Sequence, residues 1–571
     1  MLNPLFLPTA IRLRSGWFGK NTFISKVSTI CFSCALYLFE SSCVSFTLIS
    51  SSCILRSVSA ESCDWILPFL FFTHDLQQKP PYVAHDLQQN LTHVAHDLQQ
   101  KSCIFAPDLE QEFMFRRHIL KKLEAWKANA KHKPLILRGA RQVGKTTVVN
   151  EFGTQFDNYL YFNLENPESI KLFEMEIPLD DLVNMLYASL GKSQKGGSTL
   201  IFIDEIQNSP KTIALLRYFY EQRPDLYVIA AGSLLENLVD VKVSFPVGRV
   251  QYLALRPCSF YEFLGAIGKN NLLAILAQKA ELTIAFHEQL MHLFNQYTII
   301  GGMPEAVQQY AETQDIIAIE DVYETLVQAY KDDSEKYVRG NKLTDVVRFI
   351  LSYGWAFSGE TITLGNFANS GYKSREVGEA FRLLEKAMLL ELVYPVSSTQ
   401  MPIIPETKRM PKLIWFDTGL VNYQAGIRKE IIGSTEMVDS WRGHIAEQIT
   451  AQELLAMEDR VGQHRSFWAR PNNGAEVDFL FTHESKLYPI EVKSGTNSHL
   501  RSLQSFMDNS DIDIAIRIWS NPYSVDKVKT PNGKEFRLIN LPFYLIGRLH
   551  QVLEEIMVHP TFRVMRQSCK A

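Results

Sequence analysis

"LILRGARQVGKTTVV", residues 135–149, sets an apolar run directly before a loop bounded by two glycines and follows it with Lys-Thr-Thr and a helix-forming stretch. The order strand, glycine loop, helix is the context that a phosphate-binding loop requires. Glycines let successive backbone N–H groups turn inward around phosphate oxygens, and the start of the next helix adds a favourable dipole. In this reading Gly139, Ala140, Arg141, Gln142, Val143, Gly144, Lys145, Thr146 and Thr147 cradle a nucleotide. Lys145 reaches the β and γ oxygens and Thr146 ligates Mg²⁺, so ATP and Mg²⁺ are the expected cofactors.

Downstream, "GGSTLIFIDEIQ" (196–207) is a near-continuous apolar strand with an acidic tip, the pattern of a buried parallel strand. Asp204 is expected to hold Mg²⁺ through its shell, and Glu205 to orient and deprotonate the attacking water. A third apolar strand, "LYVIAAGS" (226–233), ends in Ser233, which either senses the γ-phosphate or serves as an ordinary helix cap. In "FPVGRVQYLALRPCSFYEFL" (245–264), Arg249 is either a guanidinium that stabilises transition-state charge, in its own subunit or a neighbour's, or a surface arginine beside a strand. Arg256 is the lesser candidate, because it precedes Pro257 in a turn.

The 571 residues suggest several structural units. A formal net charge of -4 means that any nucleic-acid contact must come from local patches. Only Cys258 and Cys569 follow residue 103, so the main body reads as reduced and cytoplasmic. Residues 27–55 are apolar enough for a membrane span by length, but the run is serine-rich and carries Glu40. It is too long for a signal peptide, and export would separate a nucleotide-using protein from its nucleotide. "HDLQQ" then recurs at His74, His85 and His96, in units too short and too few for a solenoid. Residues 1–113 are therefore read as a non-native or disordered extension, with a membrane anchor as the rival reading.

"LILRGARQVGKTT", "IFIDEIQ", "AAGSLLE", "PVGRVQYLALRPCSFYEFL" and "GGMPEAV" (301–307) together resemble the AAA-type ATPases of bacteria and archaea that carry a C-terminal domain of unknown function, DUF4143. The resemblance covers 114 to about 555. It implies an α/β chain: a P-loop AAA+ core (114–265), a helical lid (266–338), a winged-helix region (339–420) and a C-terminal α/β restriction-endonuclease-like domain (421–555), before a tail (556–571). It implies no physiological role.

Residues 343–396 read helix, short helix, helix, strand, the order of a winged helix-turn-helix. Ser374 is expected to cap a helix that buries Val377, Phe381, Leu384 and Ala387 and exposes Arg375, Arg382 and Lys386. Those cations suit a DNA backbone, but Glu376, Glu379 and Glu385 share the helix, so plain interdomain packing stays open. Lys408, Arg409 and Lys412 add positive charge nearby.

"NGAEVDFLFTHESKLYPIEVKSG" (473–495) reads as a hairpin. Alternation puts Glu476 and Asp478 on one face of its first strand, and Glu491 and Lys493 together on its second. With Glu447 on a preceding helix, this order matches PD-(D/E)XK nucleases: Glu447, Asp478 and Glu491 as metal ligands, with Lys493 stabilising charge or positioning water. The alternative is an exposed hairpin with a cross-strand ion pair. The leading expectation is a Mg²⁺-dependent ATPase whose cycle gates DNA binding or cleavage; the other is an ATP-driven switch that recruits a protein partner or assembles as a homo-oligomer.

Overall fold

The computed structural model describes residues 116–558 apart from 195, 234–245, 247, 338–340, 427–438, 472–473 and 494–499. The expectations for 1–113 and for most of the 556–571 tail lie outside the described residues. Among the described residues no helix is long and apolar enough to cross a membrane.

The apolar segments found in the first half of the chain form one parallel sheet. Strands β1 (Leu135–Arg138), β2 (Asn158–Asn163), β3 (Thr199–Asp204), β4 (Leu226–Gly232) and β5 (Gln251–Ala254) lie in the order β2-β3-β4-β1-β5. Every pair is parallel. β1 and β3 are buried along their whole length, which is why they read as uninterrupted apolar runs. One face packs against the helices Ile119–Ala128 and Lys145–Gly153, the other against Leu179–Ser189 and Pro210–Gln222. Inserting β4 between β3 and β1 brings three carboxyl ends together, at the edge where open parallel sheets bind ligands.

A second sheet holds β6 (Leu390–Val396), β7 (Lys412–Trp415), β8 (Ser466–Ala469), β9 (Glu476–His483), β10 (Lys486–Lys493), β11 (Ile514–Trp519), β12 (Ser524–Lys529) and β13 (Glu535–Pro542). Their order is β12-β13-β11-β10-β9-β8-β6-β7. β6 pairs antiparallel with β7 and parallel with β8, so the strand expected to close a winged helix also extends the C-terminal sheet. The β9–β10 hairpin lies between β8 and β11. It is interior, and the reading of it as an exposed hairpin is thereby corrected.

The helix Ser374–Lys386 buries Val377, Phe381, Leu384 and Ala387 as its periodicity requires. Ser374 does not cap it: Lys373 occupies the cap position, and its backbone N–H donates to Glu376 at 3.1 Å. One apolar cluster runs without a break from Ile119 to Ile556 and joins the two sheets.

The "GGMPEAV" motif braces this core. Gly301 has φ 76°, which glycine adopts without strain. Gly302 donates its N–H to Asp417 at 2.6 Å and accepts from the Cys258 N–H at 2.6 Å. A Cβ at position 302 would sit 2.3 Å from the Cys258 carbonyl oxygen, so backbone must move to admit one. Gly302→Ala is expected to destabilise the fold by about 2 kcal/mol or more, seen as a lower denaturation midpoint; an unchanged midpoint would show that the brace is slack.

Candidate functional site

The loop after β1 has the geometry its sequence demands. Gln142 (φ 63°) and Gly144 (φ 89°) are left-handed, and the helix Lys145–Gly153 starts immediately afterwards. Lys145 is buried and folds back over the loop, donating to the carbonyls of Gly139 at 3.0 Å and Ala140 at 2.8 Å. Burial pulls its ammonium down to about 8, opposed by Glu205 and Asp204. A buried cation bonded to neutral carbonyls is a fit receptor for phosphate oxygens.

Thr146 Oγ1 donates to Asp204 Oδ2 at 2.6 Å, which joins the loop to the tip of β3. Burial raises the Asp204 carboxyl above its ordinary value, offset in part by the Thr146 bond. A hydroxyl beside a buried carboxylate is the donor set that Mg²⁺ uses beside a nucleotide. Glu205 follows with φ 52°, a strained conformation for a non-glycine residue of the kind that gathers at functional sites. Gln207 Nε2 donates to its carboxylate. Ser233 is buried at the end of β4, the strand between β3 and β1.

The Arg141 side chain reaches Asp333 and, at 3.3 Å, Glu165. Tyr330 also donates to the Arg141 carbonyl at 3.0 Å, so the helix Glu320–Tyr337 holds the loop from outside. Arg249 precedes the amino end of β5, where Gln251 pairs with Leu135, and it contacts Glu221 at 3.3 Å. The loop leaves the opposite end of β1, roughly 13 Å along the strand. Arg249 thus stands toward the end of β1 opposite the loop.

The C-terminal carboxylates converge on a residue whose sequence context points to a basic surface. Lys412 is only 3% exposed. Its ammonium lies 2.8 Å from Glu447, 2.6 Å from Glu476 and 3.6 Å from Asp478. Burial opposes its charge, yet Glu447, Asp478 and Glu476 together hold it well above the ordinary lysine value. Asp478 Oδ2 accepts from the Val492 N–H at 2.7 Å, and Lys493 pairs with Glu491 at 2.7 Å. Glu491 Oε2 is buried with no hydrogen-bond partner. Burial and then Asp478 push both Glu447 and Glu491 up to about 7. Among the described residues no group of three His, Cys, Asp or Glu side chains is arranged to hold a metal ion. Within the expected trio Glu447, Asp478 and Glu491, Glu447 is engaged by the Lys412 ammonium.

Residues 131–264 match the family described as AAA domain, 291–431 a domain of unknown function (DUF8612), and 442–542 a domain of unknown function (DUF4143). The chain carries an AAA domain and a DUF4143 domain. Similar solved structures include the Walker-type ATPase PABY2304 of Pyrococcus abyssi, with 14% identity over 55% of this chain and 96% of that one and a TM-score of 0.33. Others are the Aeropyrum pernix ORC1 protein in complex with DNA, with 12% identity, 55% and 94% coverage and a TM-score of 0.27, and a RuvB protein of Thermotoga maritima, with 17%, 52%, 94% and 0.23. No protein of curated function matches significantly.

Sequence reasoning misses Lys412 in this role, Arg117 and Gln207. Lys412 lies in the segment matching DUF8612, so the cluster is built from that segment and the DUF4143 domain together. In sequence it reads with Lys408 and Arg409 as part of a basic stretch, which points away from an acid cluster. Arg117 precedes the AAA match, yet it donates to Val143 O at 3.0 Å, contacts Glu262 at 3.0 Å and is buried. Gln207 closes the "IFIDEIQ" motif, but nothing in its spacing singles it out as a partner of Glu205.

Because the folded state binds protons at Glu447 and Glu491 more tightly than the unfolded chain does, these groups erode stability as pH rises from about 4.5 through about 7. Glu447→Gln and Glu491→Gln should therefore raise the thermal midpoint more at pH 8 than at pH 5. Equal effects at both pH values would mean that these carboxyls titrate normally.

Proposed function

We propose that the chain is a Mg²⁺-dependent ATP hydrolase whose nucleotide cycle is coupled to DNA binding or cleavage by its C-terminal domain. The observation that carries the ATPase reading is the Thr146–Asp204 contact beside buried Lys145 and strained Glu205. The backbone of residues 139–147 would receive the phosphates, with Lys145 on the terminal ones and Ser233 beside them. Thr146 and Asp204 would hold Mg²⁺, which bridges phosphate oxygens and neutralises charge developing there. Glu205 would orient water and take its proton, with Gln207 fixing the carboxylate. Arg249, about half exposed at the opposite sheet edge, would act on the nucleotide of a neighbouring copy in a homo-oligomer.

Glu205→Gln is expected to bind ATP within a few-fold of the parent and to turn over at least about 100-fold more slowly. Lys145→Ala should lose nucleotide affinity itself. Fluorescent-nucleotide titration and phosphate release measure the two separately, and parental turnover in Glu205→Gln would remove that residue from the reaction.

DNA is supported by the helix Ser374–Lys386. Glu376 is engaged by Lys342 at 2.5 Å and Glu385 by the Leu392 N–H at 3.0 Å, which leaves Arg375, Arg382 and Lys386 exposed against one exposed acid, Glu379. Cleavage would further require the Lys412 ammonium to withdraw from Glu447, freeing it to join Asp478 and Glu491. The buried Lys412 also favours a second reading, in which the C-terminal fold is catalytically silent and ATP sets an assembly state that recruits a protein partner. In a Mg²⁺ or Mn²⁺ nuclease assay with and without ATP, cleavage should disappear in Asp478→Ala. Cleavage that survives the change sinks the C-terminal assignment, and a parent that cuts nothing while ATPase rises with a protein partner supports the second reading.

A further inference from the structure

A cavity of about 280 Å³ lies where the end of β1, the turn after β5, the end of the helix Ser374–Lys386 and the segment leading into β8 meet. Arg138, Arg256, Arg382, Lys386 and Arg465 line it, and its two carboxylates are already committed. Glu391 takes the Arg465 backbone N–H at 2.7 Å and its guanidinium, and Glu385 takes the Leu392 N–H at 3.0 Å. The wall therefore carries a surplus of positive charge, with Arg382 and Lys386 exposed at its rim and the other arginines deeper.

Two guanidiniums there are incompletely satisfied. Arg465, whose side chain is 10% exposed, spends its terminal nitrogens on Glu391 and the Ala451 carbonyl, and its Nε is buried without an acceptor. The Arg256 Nε is likewise buried without an acceptor, and Arg256 forms no ion pair among the described residues. Burial, and then the neighbouring Arg465, pull the Arg256 guanidinium down to about 10. A buried N–H without a partner forfeits its hydration for nothing in return, and native proteins seldom leave two in one cavity without a use. Arginine forks match the geometry of tetrahedral oxyanions.

We infer that this cavity binds a phosphate-class anion, seated between Arg256 and Arg465 and rimmed by Arg382 and Lys386. Its size suits a free phosphate, a pyrophosphate or the terminal phosphate of a larger molecule, and falls short of a typical drug-sized pocket. The site adjoins the nucleotide loop but is separate from it. The Arg256 carbonyl accepts from Arg117 at 2.6 Å, and the same guanidinium holds Val143 of the loop at 3.0 Å. The Leu255 N–H donates to Arg138 O at 2.7 Å, and a Cβ at Gly139 would lie 2.5 Å from the Leu255 carbonyl oxygen. An anion that shifts Arg256 therefore presses on the segment against which the loop rests.

The test is calorimetric titration of inorganic phosphate and pyrophosphate into the full chain carrying Lys145→Ala, which silences the nucleotide loop. One saturable site is expected, weakened at least tenfold by adding Arg256→Gln and largely kept by Arg256→Lys. A 5′-phosphorylated oligonucleotide and its unphosphorylated twin distinguish a nucleic-acid end, which only the first would deliver, from a free anion. Without anion, Arg256→Gln should leave the thermal midpoint unchanged or raise it, because it removes a partly buried cation whose Nε has no acceptor; a purely structural arginine would lower it. No saturable binding by any of these probes, or binding indifferent to Arg256→Gln, overturns the site. Either result leaves the ATPase reading intact, because the measurement is made with the nucleotide loop disabled.

Discussion

The buried carboxylate of Asp417 ties together regions that the chain supplies far apart. It accepts from the Gly302 N–H at 2.6 Å and from the Leu420 N–H at 3.0 Å, where it caps the helix Thr418–Gln424. Gly302 in turn takes the Cys258 N–H, and Cys258 follows the last strand of the parallel sheet. One side chain thus fixes the ATPase core, the helical segment and the end of β7 to one another. β7 begins with Lys412 and leads directly into Asp417, so the brace and the C-terminal carboxylate cluster share one short stretch of backbone. A rigid path of packed backbone is a physical means by which two distant sites can feel each other.

The carboxylate cluster is a balance of charge in a confined space. Glu447, Glu476, Asp478 and Glu491 face Lys412 and Lys493, so four acids meet two ammonium groups. Full ionisation would leave like charges in a medium that solvates them poorly, and Glu447 and Glu491 respond by holding protons up to about 7. In general such a deficit is met either by holding protons or by binding an external cation. The buried Lys412 ammonium tips the described arrangement toward the first.

The two cationic sites are built differently. In the nucleotide loop, Lys145 is bonded to carbonyls of its own loop, an arrangement that a phosphate can displace with little rearrangement. In the neighbouring cavity, Arg256 and Arg465 come from the turn after β5 and the approach to β8, segments that belong to different sheets. The first site is local in sequence and the second is assembled only by the packing of the sheets.

That difference explains what is legible without the fold. Strand, loop, helix and acidic strand tip are short-range patterns, and backbone sterics with burial on both faces of a parallel strand suffice to define them. Gly139, Gly144, Lys145, Thr146, Asp204 and Glu205 are legible for that reason, and so are the β9–β10 hairpin and the buried face of the helix Ser374–Lys386. Local sequence patterns suffice for the P-loop core, its nucleotide loop and the alternation of the C-terminal strands. Which sheet edge Arg249 occupies, the interior place of the hairpin and the position of Lys412 among the carboxylates are set by packing. Those outcomes depend on strand order and on contacts between residues tens to hundreds of positions apart, and local periodicity carries no record of either.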